Sequence, residues 1–120
     1  MPLHNKTVLI VEDEFLIAEL LEDMLVELGC ASFEKATSVS KALEALSNII
    51  PDLAIVDLNL DGQSSLPVAE ALRARNIPFV FSSGYGSGLV PPEWRTRPLA
   101  AKPFSPDELR AKIVEALGAG

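Results

Sequence analysis

Four short segments carry residues able to do chemistry together: Glu12-Asp13, Asp57, Ser82-Ser83-Gly84 and Lys102. They supply three carboxylates, hydroxyls and an ammonium. Carboxylates gathered in one place repel one another unless a cation sits among them. Oxygen ligands with room left for water suit Mg²⁺, which holds near-octahedral geometry and keeps part of its hydration shell. A carboxylate beside a metal, a hydroxyl and a lysine is what phosphoryl transfer to an aspartate requires. The carboxylate is the nucleophile, metal and ammonium neutralise phosphoryl oxygens, and the hydroxyl hydrogen-bonds one of them. In that scheme Asp57 is the candidate acceptor, with a hydroxyl of Ser82-Ser83 and Lys102 assisting it. Any one of these residues alone says little. An acid after a strand, a serine before glycine and a lysine before proline usually face solvent, so the elements that position them decide the matter.

The chain alternates strand and helix. Thr7 to Val11 is a short apolar run of the kind buried on both faces of a parallel sheet. From Phe15 to Leu28, apolar residues at 16, 20, 21, 24, 25 and 28 share one helical face, and Gly29 closes the helix. Cys30 to Ala36 reads as a weaker second strand. Ser38 caps a helix expected to bury Val39, Ala42, Leu43 and Leu46, which Pro51 ends. Leu53 to Val56 is a third strand, followed by a polar loop with an Asp61-Gly62 turn and a helix over roughly Pro67 to Arg75. Pro78 to Ser82 is the fourth strand and Leu99 to Ala101 a very short fifth. Ser105, Pro106 and Glu108 mark the cap, first position and capping-box partner of a last helix.

Five strands joined by crossovers make an α/β domain, a doubly wound parallel sheet with helices on both faces. The common order for this count is 2-1-3-4-5, with its switch point between strands 1 and 3, and ligands bind outside the carboxyl ends there. Glu12-Asp13 end strand 1, Asp57 follows strand 3, Ser82-Ser83-Gly84 end strand 4 and Lys102 follows strand 5. All the candidate groups therefore fall on one edge.

Bulk properties narrow the classes. With 120 residues, 48% of them apolar, the chain reads as one domain over 1–120 with a real core. No apolar run approaches the ~20 residues that span a bilayer, and the start has no signal-peptide pattern. The single cysteine, Cys30, fits the cytoplasm and reads as a buried, inert thiol. Net charge is −7, which repels nucleic acid and anionic lipid, so neither is an expected direct partner.

These residues resemble the bacterial response-regulator receiver family along essentially the whole chain. Glu12-Asp13 is similar to its acidic pair, Asp57 to its phosphoacceptor, Ser83 to its hydroxyl, and Lys102-Pro103-Phe104 to its lysine-proline-phenylalanine segment. The resemblance implies a flavodoxin-like (CheY-like) fold and two-component signalling, with phosphoryl arriving from a histidine kinase or phosphotransfer protein. It makes Asp13 and Asp57 direct Mg²⁺ ligands, Glu12 a ligand acting through water, and the backbone carbonyl of Asn59 a further one. It also implies a cis Lys102-Pro103 bond.

Two departures point to a subgroup. Asp61 stands where most receivers have proline, and Phe81 to Gly86 looks like a variant of the motif of the FAT GUY receivers. Those are often single-domain proteins paired with kinases of the HWE type. Leu99 replaces the usual aromatic residue, which removes the familiar rotamer switch. Glycines and adjacent prolines in segment 84–98 exclude a full fourth helix, leaving at most a short turn from Pro92. Tyr85 and Trp94 are expected to be exposed there, ready for a downstream protein partner.

Rival readings fit less well. Asp57 to Gly62 matches the start of a calcium EF-hand loop, but position 12 is Val68 and a strand precedes it. An aspartate-nucleophile phosphatase would need a second acid at Asn59. An adaptor indifferent to phosphorylation has little use for the complete set of groups. A receiver cut from a longer regulator remains open, as does output through contact or by draining phosphate from a kinase.

Overall fold

The computed structural model describes residues 2–84 and 90–118. Five apolar runs form the main sheet as Thr7–Val11 (β1), Ser32–Ala36 (β2), Leu53–Asp57 (β3), Phe79–Ser83 (β6) and Leu99–Ala101 (β7). The order is β2-β1-β3-β6-β7, all parallel, as the sequence reading expects. Between them lie Phe15–Glu27 (α1), Val39–Asn48 (α2), Leu66–Ala74 (α3) and Pro106–Gly118 (α4).

Side-chain alternation splits the core in two. Val8, Ile10, Leu53, Ile55 and Val80 face α1 and α4, where Leu21, Leu25, Leu109 and Ile113 meet them. Leu9, Val11, Ala54, Val56, Phe79 and Phe81 face α2 and α3 on the other side. With both faces covered, continuous apolar strands bury every residue, as β3 and β6 do. Local chemistry fixes the helix starts. Ser38 Oγ accepts from Lys41 N at 3.1 Å, and Ser105 and Glu108 exchange the capping-box bonds at 3.1 and 3.3 Å. At the other end of α2, the Arg75 guanidinium donates to the Leu46 and Ile49 carbonyls, tying that helix to the end of α3.

The structure corrects several expectations. Leu16 and Leu20 point to solvent, 74% and 53% exposed, and Ala18 takes their place in the core. Leu43 is likewise exposed on α2. Helix α3 begins one residue earlier than expected, at Leu66. Cys30 lies outside β2, half-buried, bridging His4. The loop after Asp57 is a small hairpin of Asn59–Leu60 (β4) and Gln63–Ser64 (β5). Its turn residues Asp61 and Gly62 have φ of 52° and 82°, the left-handed pair that a two-residue hairpin demands and Asp-Gly supplies.

Among the described residues between β6 and β7, the irregular fourth helix is the 3-10 turn Pro92–Trp94. Trp94, however, is buried at 1% exposure, because the turn drops its indole onto Phe79 and Phe81 with ring centroids 6.1 Å from each. It is a core residue and no exposed contact. Tyr85, Gly86 and the rest of 85–89 lie outside the described residues.

Candidate active site

Strand register assembles the site. Val11 aligns with Val56, Asp57 with Ser82, and Ser83 with Ala101. The residues just past β1 and β7, Glu12-Asp13 and Lys102, are thereby set beside Asp57 and Ser83 at the carboxyl edge of the sheet. A cleft of about 730 Å³ opens there, lined by Asp13, Asp57, Asn59, Ser83 and Lys102 among others.

The three carboxylates converge. Glu12, Asp13 and Asp57 each offer an oxygen, and these atoms lie within 4.8 Å of one another. Glu12 and Asp57 are buried and Asp13 half-buried. Lys102 reaches across the sheet to both buried acids, with Nζ donating to Glu12 Oε1 at 2.7 Å and Asp57 Oδ2 at 2.9 Å. Asp57 Oδ1 accepts from Asn59 N at 3.1 Å, and Glu12 Oε2 accepts from Glu14 N at 3.1 Å. The Lys102-Pro103 peptide is cis. Ser83 is almost fully buried at the cleft, and its carbonyl accepts from Lys102 N at 2.8 Å.

Burial pushes the Glu12 carboxyl up to about 7, the Asp57 charge adding to the rise and the bonds from Lys102 and Glu14 opposing it. Burial alone would lower the Lys102 ammonium, but its bonds to Glu12 and Asp57 and their charges outweigh that and raise it. Glu12 and Asp57 are thus held against their mutual repulsion by one lysine. A hard dication with an oxygen-rich shell suits this donor set, which has carboxylates and no soft ligand.

Asp13, Asp57, Asn59, Ser83 and Lys102 border this one cleft, and Glu12 bonds to Lys102, which does. Asn59 contributes its amide to Asp57, while its side-chain Oδ1 accepts from Gly62 N at 2.7 Å and braces the hairpin. Sequence reasoning gave Asp61-Gly62 only a turn. Asp61, Gly62 and Ser64 also form a wall of the cleft. The signal was present in the Asp-Gly pair, but two-residue strands are too short to show a period.

Comparison with known proteins agrees with this geometry. The family model of the response regulator receiver domain matches residues 8–114. The chain is 26% identical over 114 residues to the sporulation initiation phosphotransferase F of Bacillus subtilis, covering 91% of each. It is 36% identical to the phyllosphere-induced regulator PhyR of Methylorubrum extorquens, covering 92% of this chain but 43% of that longer protein. Among solved structures, SdrG from Sphingomonas melonis superposes with a TM-score of 0.83 at 44% identity, over 98% of each chain. The receiver domain of PhyR from Erythrobacter litoralis gives 0.83 at 32% identity, over 96% of this chain and 92% of that one. Strand order, cleft and these matches agree, and the chain belongs to the response regulator receiver domain family.

Proposed function

We propose that Asp57 accepts a phosphoryl group from a phosphohistidine on a histidine kinase or phosphotransfer protein. The observation that carries this is the Lys102 ammonium bonded to both Glu12 and Asp57 amid three converging carboxylates. Glu12, Asp13, Asp57 and the Asn59 carbonyl are the groups that would hold Mg²⁺, which when bound neutralises charge on the phosphoryl oxygens. A carboxylate oxygen of Asp57 forms the new bond to phosphorus while the bond from phosphorus to imidazole nitrogen breaks. The imidazole leaves with that electron pair. Lys102, already 2.9 Å from Asp57, stays beside the incoming negative charge, and Ser83, which lines the same cleft, would bond a phosphoryl oxygen through its hydroxyl. A structure of SdrG in a BeF3-activated conformation, 41% identical to this chain, supports a site that responds to a phosphoryl-like group.

The same reading makes the protein a signalling component that acts through protein contacts or by drawing phosphoryl groups from a shared kinase. An HWE-type kinase is the proposed donor, from the Asp61 and Phe81–Gly86 departures in the sequence. The test is incubation with acetyl phosphate and Mg²⁺ followed by intact-mass measurement. One phosphoryl adduct should form, vanish with a chelator, and be absent in Asp57→Asn; an undiminished adduct in that variant would overturn the assignment.

A further inference from the structure

Arginines are unevenly placed in this acidic chain. Between residues 71 and 98 there are four of them and a single acid, Glu93, in a protein of net charge −7. Two of the four share one structural device. The Arg73 guanidinium lies 4.4 Å from the centroid of the Trp94 ring, and that of Arg97 lies 4.9 Å from the Phe79 ring. Those two rings pack together at 6.1 Å, so two cations are held side by side on one aromatic pair. Arg73 is answered by Glu70, on its own helix and largely exposed. Arg97 has no ion-pair partner among the described residues.

Both guanidiniums border a groove of about 560 Å³. Its other walls include Ile77, Pro78 and Pro98, an apolar surface, with Thr96 at the side. Residues 77, 78 and 98 precede β6 and β7, so the groove lies at the amino ends of these strands, the opposite pole from the acidic cleft.

We propose that this groove binds an acidic peptide segment of a partner protein, with Arg73 and Arg97 gripping its carboxylates and the proline-rich wall covering an apolar neighbour. Stacked on its ring, Arg97 keeps its N–H edge open to a bidentate carboxylate, while Arg73 Nη2 already donates to both Glu70 oxygens at 2.9 and 2.8 Å and adds its remaining N–H groups as the weaker grip. The volume falls in the range of organic-ligand sites and far exceeds an inorganic anion, which would leave the apolar wall uncovered. A nucleic acid would meet the negative field of the rest of the chain.

The test uses the whole protein and three probes: a peptide alternating glutamate with leucine, its glutamine counterpart, and inorganic phosphate. Binding is read from amide shifts of Asn76, Thr96 and Arg97 and from Trp94 emission. The glutamate peptide should move these signals, bind at least about tenfold more tightly than the glutamine one, and weaken as salt is raised. Arg97→Gln should cost about tenfold, and Arg97→Lys less, while acetyl phosphate labelling is unchanged in both. Circular dichroism verifies that each variant is folded. Equal binding of both peptides, phosphate binding as tightly as the glutamate peptide, or shifts confined to other surfaces would each overturn the proposal.

Discussion

Lys102 and Glu12 are 90 positions apart in the chain and their charged atoms are 2.7 Å apart in space. The contact spans the sheet from β1 to β7 and crosses Asp57 on the way. Two carboxylates share one cation, so that cation both holds Asp57, the proposed acceptor, and would compete with any metal for the same oxygens.

Replacing it should separate those two effects. Lys102→Met is expected to slow phosphorylation by acetyl phosphate about a hundredfold, since one group that neutralises the transferring charge is gone. The same variant should bind Mg²⁺ several-fold more tightly, because the local positive charge has been removed. Titration calorimetry and labelling rates measure the pair. Parallel loss of both properties would show that Lys102 only holds the cleft together.

Glu12 gives the site a pH dependence. Its carboxyl is held up to about 7, against an ordinary value of 4.5, chiefly by burial. The folded chain therefore keeps a proton between those values that the unfolded chain releases. Without metal, stability should fall as pH rises from 4.5 to 7, by at most about 3 kcal/mol. Mg²⁺ must displace that proton, so its apparent affinity should drop as pH falls below 7 and flatten in Glu12→Gln. Urea melts and Mg²⁺ titrations at several pH values test both signs.

Trp94 is predicted to matter for stability. It closes the aromatic cluster with Phe79 and Phe81, whose rings meet edge-on at 5.2 Å. Trp94→Ala should cost about 3–5 kcal/mol in urea unfolding, while Trp94→Phe costs clearly less. A near-neutral alanine variant would show that the 3-10 turn does not depend on its anchor.

Arg75 should act as a brace between helices. Its guanidinium caps the carbonyls of Leu46 and Ile49 at the end of α2. Arg75→Ala is expected to cost about 1–3 kcal/mol and to raise amide exchange in residues 44–49 without changing Asp57 labelling. Unchanged exchange there would remove the brace from the account.

The sheet and its polar edge were legible because the strands are short, apolar and bounded by turn residues, and because 2-1-3-4-5 leaves few alternatives. Helix α1 was less legible. It is apolar on so many sides that spacing selected Leu16 and Leu20, and only the neighbouring strands and helix decide that Ala18, Leu21 and Leu25 turn inward. Segment 84–98 showed a similar limit. Over the described residues 90–98, the adjacent prolines agree with the 3-10 turn found there, but burial of Trp94 depends on Phe79 and Phe81, which no local pattern connects to it. The Arg73 and Arg97 pair was invisible for the same reason, since only the fold stacks them on adjacent rings.

The hairpin beside Asp57 has a kinetic meaning. Leu60 is buried, Asn59 clasps Gly62, and the turn takes its shape from Asp61 and Gly62 themselves. A wall that ordered only on arrival of a donor would add about 1–2 kcal/mol of lost backbone entropy per residue to every encounter. Here the turn and its own bonds already give the wall its shape without a partner. Capture should then be limited by orientation and by the repulsion between an acidic cleft and an anionic donor, so its rate should rise when salt screens the two.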